Sequence, residues 1–280
     1  MSARFLVFLM VCFGSVCSAQ DYVAYHTQLK EAKLLAVKGN TAEAAELYYL
    51  TFEEFEFRFA RDCIHAVEIA SAASDTGLTA FFVEAGLRQG IPIAFYQQKA
   101  TLNWFRKTEN WLQVGAKADS LHQVYLQSIN QALREEVNQL FAEDQQIRAR
   151  YYKWYNFLAK PFIARKWRKL NKQQVERLID ITREYGFPGE RLIGIDLPTH
   201  HPKINANQLS AGMPIVLLVH HYSKPNPSND ELFFEQLKLG YIDNVHFATI
   251  CDFEAEFGRK KFEKRGYYGL RFGKRGRKVN

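Results

Sequence analysis

At 280 residues, with ordinary apolar content and only 16 glycines and 8 prolines, the chain has the composition of a folded protein, not of a disordered or collagenous one. Its net charge of +7 is uneven: residues 259–280 hold ten Lys or Arg against one acid, Glu263, so the rest of the chain is slightly acidic. Beyond the first twenty residues, no stretch approaches the ~20 consecutive apolar residues of a membrane-spanning helix.

The N-terminus reads as a secretory signal peptide. Met1–Arg4 is short and positive, Phe5–Val16 is apolar, and Cys17-Ser18-Ala19 puts small residues at a cleavage site after Ala19. The apolar run is too short to span a bilayer comfortably, and Gly14-Ser15-Val16-Cys17 matches a lipoprotein box poorly. The expectation is therefore an exported, periplasmic or extracellular protein of about 260 residues, enough for two modest domains. Export also argues against nucleic acid as a partner. Of four cysteines, Cys12 and Cys17 leave with the signal. Cys63 and Cys251 either pair in the oxidising compartment or stay as buried thiols.

From Asp21 to about Arg148 the pattern is helical. Tyr25, Leu29, Ala32 and Ala36 recur on one face. Gly39-Asn40 breaks that helix, and Asn40 with Glu43 forms a capping-box pattern for the next, whose stripe is Ala44, Tyr48, Phe52, Phe55 and Phe59. A second pair follows at Asp62–Ala73 and Thr79–Arg88, closed by Gly90-Ile91-Pro92. Trp104–Asn110 predicts a loop or short helix, and Ser120–Arg148 one long helix. Ala32, Gly39, Ala44 and Tyr48 resemble one tetratricopeptide-type hairpin, in which small residues let two helices approach closely. Thr51 stands where that pattern expects alanine, and the closing proline is absent.

Residues 150–172 carry eight Lys or Arg and no acid, interleaved with Tyr151, Tyr152, Trp154, Tyr155, Phe157, Phe162 and Trp167. The plainer reading is a helix that buries its aromatic stripe and solvates its lysines. The other is a surface facing anionic lipid or acidic wall polymer. Asn171–Tyr185 predicts a helix with Asn171 as N-cap, Gly186 as C-terminal cap and Pro188 as stop. Arg191–Ser210 reads as loop. Ala211–Tyr222 is a buried element, assigned as a helix that Ser210 can cap. Asn229–Leu239 predicts a further helix, Val245–Asp252 a short buried element, and the basic C-terminus a tail.

Several of these residues could carry chemistry. Asp144 and Arg148, four apart on a helix, either form a solvated ion pair or, facing inward, orient an anionic substrate group. His220-His221 diverge by about 100° on a helix, so at most one points inward. A metal would need further ligands from Asp144, His200, His201, His246 or Asp252, and no spaced metal pair such as H-E-x-x-H is present. No cofactor or metal is therefore expected. An inward His220 paired with a carboxylate suits a general base. No G-x-S-x-G elbow, phosphate loop or dinucleotide fingerprint occurs, and nothing local supports Cys251-Asp252 as a nucleophile site.

The order Asp144-Gln145-x-x-Arg148, Asn171, Gly186-Phe187-Pro188, Gly194, His220-His221, Ala248–Asp252 and Tyr268-Gly269 resembles an uncharacterised domain family of exported bacterial proteins. That family is often found behind tetratricopeptide-like helices. The likeness spans about residues 140–272. It implies a largely helical domain with an Asp-Gln-Arg cluster near an inward histidine, and no known activity. The chain departs from the pattern at Phe253, where the family has Arg. It departs again at Arg265, Gly266, Leu270 and Arg271, where glutamines are common around the Tyr-Gly.

The resulting expectation is an all-α protein. A signal peptide (1–19) precedes a region of tetratricopeptide-like hairpins (20–135), which pack on a helical domain (136–272) before a basic tail (273–280). Its expected polar cluster comprises Asp144, Arg148, His220 and Asp252, with Gln145, Asn171, His221 and Tyr268 as binding residues. The expected activity is protein or peptide binding, or scaffolding. The alternative is a hydrolase built on the His/Asp cluster, with or without a metal.

Overall fold

The computed structural model describes residues 20–196, 209–221, 229–257, 271–272 and 278–279. Within them the protein is all-α, apart from a two-residue antiparallel pairing of β1 (Arg271–Phe272) with β2 (Lys278–Val279). No helix among the described residues is long and apolar enough to cross a membrane.

Four helices open the chain as two hairpins: α1 (Tyr22–Val37) with α2 (Thr41–Glu54), and α3 (Ala60–Ala72) with α4 (Thr76–Arg88). Their facing stripes explain the pairing. Tyr25, Leu29 and Ala32 of α1 and Ala45, Tyr48 and Phe52 of α2 are buried in one cluster with Cys63, Val67, Phe82 and Val83. Tyr22, Tyr25, Phe55 and Phe59 meet edge-on or tilted, the geometry aromatic quadrupoles favour, as with Tyr22 and Phe55 at 5.2 Å and 65°. Asp21 and Asp75 cap α1 and α4 by accepting from Val23 N and Leu78 N. The expected box at Asn40 is incomplete, since its side chain donates to Glu43 Oε2 (3.3 Å) instead of capping the backbone.

The short α5 (Ile93–Gln97) and two 3₁₀ turns (Ala100–Leu102, Phe105–Lys107) lead into α6 (Glu109–Ser128), which packs on α4. The single long helix expected from Ser120 to Arg148 is in fact two. Ile129 and Asn130 leave helical geometry, and Asn130 caps α7 (Gln131–Tyr152) by accepting from Leu133 N. The corner carries no Gly or Pro, so the break shows only as a cap residue. α8 (Lys160–Tyr185) starts eleven residues before Asn171, the expected cap. Pro161 fits its first turn, and nothing between there and Asn171 breaks a helix. Asn171 therefore sits mid-helix.

α9 (Glu190–Ile193) is one turn. α10 (Met213–His221) is helical as expected, although its first amides, Gly212 N and Met213 N, donate to Asp196 Oδ2 (2.7 and 3.0 Å). α11 (Asp230–Lys238) and α12 (Asn244–Phe257) complete a second apolar cluster with α8 and α10, built on Leu178, Phe187, Leu218, Phe233, Leu237 and Ile250. Cys63 is buried in the first cluster and Cys251 in the second, and no disulfide joins them.

One stretch, residues 186–196, ties the two halves together. Glu190 Oε2 accepts from Ala60 N (2.8 Å) at the start of α3, where Phe59 has no capping side chain. Arg191 donates to Leu239 O (2.7 Å) and Glu56 Oε2 (3.0 Å), and its guanidinium lies over the rings of Tyr22, Phe57 and Tyr241. Arg134 of α7 donates to the carbonyls of Ile193 and Ile195 (both 2.8 Å) and to Tyr125 Oη. Gly194 has φ +75°, and a Cβ there would lie 2.1 Å from Tyr125 Oη, so only glycine fits. Gly240 (φ +74°) likewise makes room for the ring of Tyr22.

Candidate functional site

The cluster expected around Asp144 is built on the α7–α8 pair. The two helices are held in register by three contacts. Arg177 makes a two-pronged bond to Glu136 (2.5 and 3.0 Å), Gln174 Nε2 donates to Leu140 O (2.7 Å), and Trp167 Nε1 donates to Asp144 Oδ1 (3.0 Å). Gln145 Nε2 adds a second donor to Asp144, at 2.9 Å to Oδ2. Asp144 is completely buried, so the solvated-pair reading of Asp144 and Arg148 does not hold. Arg148, one turn on, is half-buried.

Asn171 lies on the α8 face between Trp167 and Gln174. Its Oδ1 and the Oε1 of Gln174 are buried acceptors with no hydrogen-bond partner among the described residues. Thus the structure brings Asp144, Gln145, Asn171 and the unexpected Trp167 and Gln174 onto one helix–helix seam. α10, which bears His220 and His221, packs against both α7 and α8, and against α12, which bears Asp252. The side chains of His220, His221 and Asp252, and all of Tyr268, His200 and His201, lie outside the described residues.

A second set of buried charges surrounds the joint and was not anticipated. Asp62 on α3 accepts from Lys33 Nζ (3.0 Å) and Tyr25 Oη (3.3 Å). Burial alone would raise its pKa, but Lys33 and the neighbouring His26 outweigh that and hold it below the usual carboxylate value. Asp243 pairs with His246 Nδ1 (2.5 Å) and caps α12 through Val245 N and His246 N (2.8 and 3.0 Å). Burial opposes its ionisation too, but His246 more than compensates and holds it well below the ordinary range.

Glu190 shows the opposite balance. Burial, reinforced by the negative field of Asp243, pushes its pKa well above the ordinary 4.5 despite the bond from Ala60 N. His246, named in the sequence as a possible metal ligand, is thus the partner of Asp243. No group of three His, Cys, Asp or Glu suited to a metal occurs among the described residues.

Glu190 could not be found by spacing, because its partner Ala60 lies 130 residues away. Asp243 did leave a signal: Asp-Asn-Val-His ahead of an apolar run is a cap pattern. Each buried carboxylate joins helices or caps one.

The basic, aromatic stretch 150–172 departs from the burial expected of it. Tyr151 and Trp167 pack together at 5.6 Å and Ile163 is buried. Trp154 (84 % exposed), Leu158 (78 %), Phe162 (76 %), Phe157, Tyr152 and Tyr155 stand in solvent at the turn between α7 and α8. The stripe at helical spacing continues only as far as its partner helix. Beyond that, the side chains have nothing to pack on.

Compared with known proteins, the chain matches no family profile, no curated protein and no solved structure.

Proposed function

We infer that the protein is an exported binding or scaffolding module, a rigid helical body that presents the tip of the α7–α8 hairpin to a partner. The observation that carries this reading is the exposure of six large apolar side chains at one turn, Tyr152 to Phe162. An apolar patch rimmed by polar groups is the usual mark of an interaction surface. The tetratricopeptide-like hairpins and the likeness to an uncharacterised exported domain accord with this reading, as does the use of buried carboxylates to join helices. Purified protein should show no turnover above buffer across ester, phosphate, peptide and glycoside substrates. Turnover that disappears in His220→Ala would overturn the reading.

A second reading, a hydrolase using Asp144, His220 and Asp252, has one observation behind it. The helices carrying the three residues are neighbours, α10 packing on both α7 and α12. In that case Asp144→Asn, which keeps the size and one acceptor oxygen for Trp167 Nε1, would abolish turnover while leaving the helical circular dichroism unchanged.

A further inference from the structure

We propose that the hairpin tip docks on an anionic phospholipid surface. Its aromatic side chains would sit among the headgroups, with the basic face of α8 just above them. The inference rests on reading the protein as a binding module and names the partner of that surface.

The tip is an ordered wedge. α7 ends at Tyr152, a 3₁₀ turn (Trp154–Asn156) reverses the chain, and α8 begins at Lys160 with Pro161 in its first turn. Asn156 Nδ2 donates to Arg150 O (2.7 Å), Asn156 N to Lys153 O, and Ala159 N to Asn156 O, and these three bonds fix the shape of the turn. At its apex stand Trp154, Tyr155, Phe157 and Leu158, with Tyr152 and Phe162 on the shoulders. Tryptophan and tyrosine, with an apolar ring and one polar atom, are the side chains that favour the headgroup zone.

Charge selects the kind of surface. Arg150, Lys153, Arg165, Lys166, Arg168 and Lys169 are all exposed, and none of them pairs with a carboxylate among the described residues. Arg165 and Lys169 share one face of α8, within about 15 Å of the tip at 1.5 Å per residue. That is the height of the headgroup layer when an interfacial element sits ~5–10 Å deep. The stretches outside the described residues supply no net opposite charge to cover it. Stretches 197–208 and 222–228 contain no acid, and 258–280 is strongly basic. A second copy would bring the same positive tip. An anionic lipid surface supplies both the apolar layer and the opposite charge.

The test is sedimentation of the full chain with vesicles of equimolar phosphatidylcholine and phosphatidylglycerol, set against pure phosphatidylcholine. Binding is expected on the anionic vesicles alone, weakening as salt shortens the Debye length from about 10 Å at 0.1 M to about 3 Å at 1 M. The triple variant Trp154→Ser, Phe157→Ser, Leu158→Ser should bind at least about tenfold less. Arg165→Gln with Lys169→Gln should bind roughly 25-fold less, about fivefold for each charge. Both variants change exposed residues, and circular dichroism checks that they fold.

Absence of vesicle binding overturns the proposal. So does binding that survives the triple variant but vanishes on deleting residues 271–280, because the basic tail would then be the contact. Equal binding to soluble polyphosphate and to vesicles, unaffected by the triple variant, would mean charge alone and would also overturn it. A dimer that forms without lipid and is broken by the triple variant would assign the patch to a second copy. The last result leaves the binding-module reading standing, whereas turnover on the substrate panel would remove that reading itself.

Discussion

Basic side chains meet aromatic rings at two places in this protein, and the two are built differently. At the joint, Arg191 lies over Tyr22, Phe57 and Tyr241 while it donates to Glu56 and to a backbone carbonyl. Around it Glu190 and Asp243 cap helices, and glycines admit the rings of Tyr22 and Tyr241. At the hairpin tip, Lys153 and Lys160 also lie over tyrosines, at 5.6 Å, but neither pairs with a carboxylate among the described residues, and the remaining rings face water. An arginine with a carboxylate, a carbonyl and small neighbours becomes part of a packed joint between the two clusters. Lysines and rings without them stay at the surface, available to something outside the chain.

Substitutions at the joint and along the buried α7–α8 seam cost stability, and those at the tip do not. Phe187→Ala has the largest expected effect. The ring is buried, edge-on to Phe233 at 6.0 Å, and its removal should cost about 3–5 kcal/mol in urea unfolding. Asp144→Ala follows. It leaves the part-buried indole N–H of Trp167 without this acceptor and should cost about 1–3 kcal/mol, measured the same way.

Glu190→Gln gives a smaller, pH-dependent effect. Burial raises the folded pKa of Glu190, so its contribution is fully present below the unfolded value of about 4.3 and is lost as pH rises through the folded value. Glutamine can still accept from Ala60 N and does not ionise. The variant should therefore gain on the parent as pH rises above the unfolded value, read from denaturation midpoints at acid and at neutral pH. Asp62, with its pKa lowered, acts in the opposite sense: its stabilisation is present above about pH 3.9 and fades as pH falls through the folded value. Trp154→Ala, at the exposed apex, should change stability by less than about 0.5 kcal/mol.

The sequence made the hairpins of the first half legible, because their apolar stripes are regular and Asp75, Gly39 and Gly90 punctuate them. It also pointed to Asp144 and Gln145, whose motif lies on a helix that is plain to see. Local pattern failed where the deciding partner is distant or silent. The α6–α7 corner is set by Asn130, whose amide donates to Leu192 O, and by Arg134 reaching Ile193 and Ile195, contacts no local window contains. Glu190 carries no local signal until α3 arrives to receive it. The stripe from Tyr151 to Trp167 has helical spacing throughout, but α7 ends at Tyr152 and leaves half of it uncovered. Periodicity reports which side chains could share a face, not whether another helix lies against it.

Amide hydrogen exchange of the full chain, with and without phosphatidylglycerol-containing vesicles, tests the central claim most directly. The account predicts that vesicles slow exchange across residues 150–165 and leave 186–196 unchanged, since the joint is already closed. Slowed exchange at 186–196 or in α1–α4, with the tip unaffected, would contradict it.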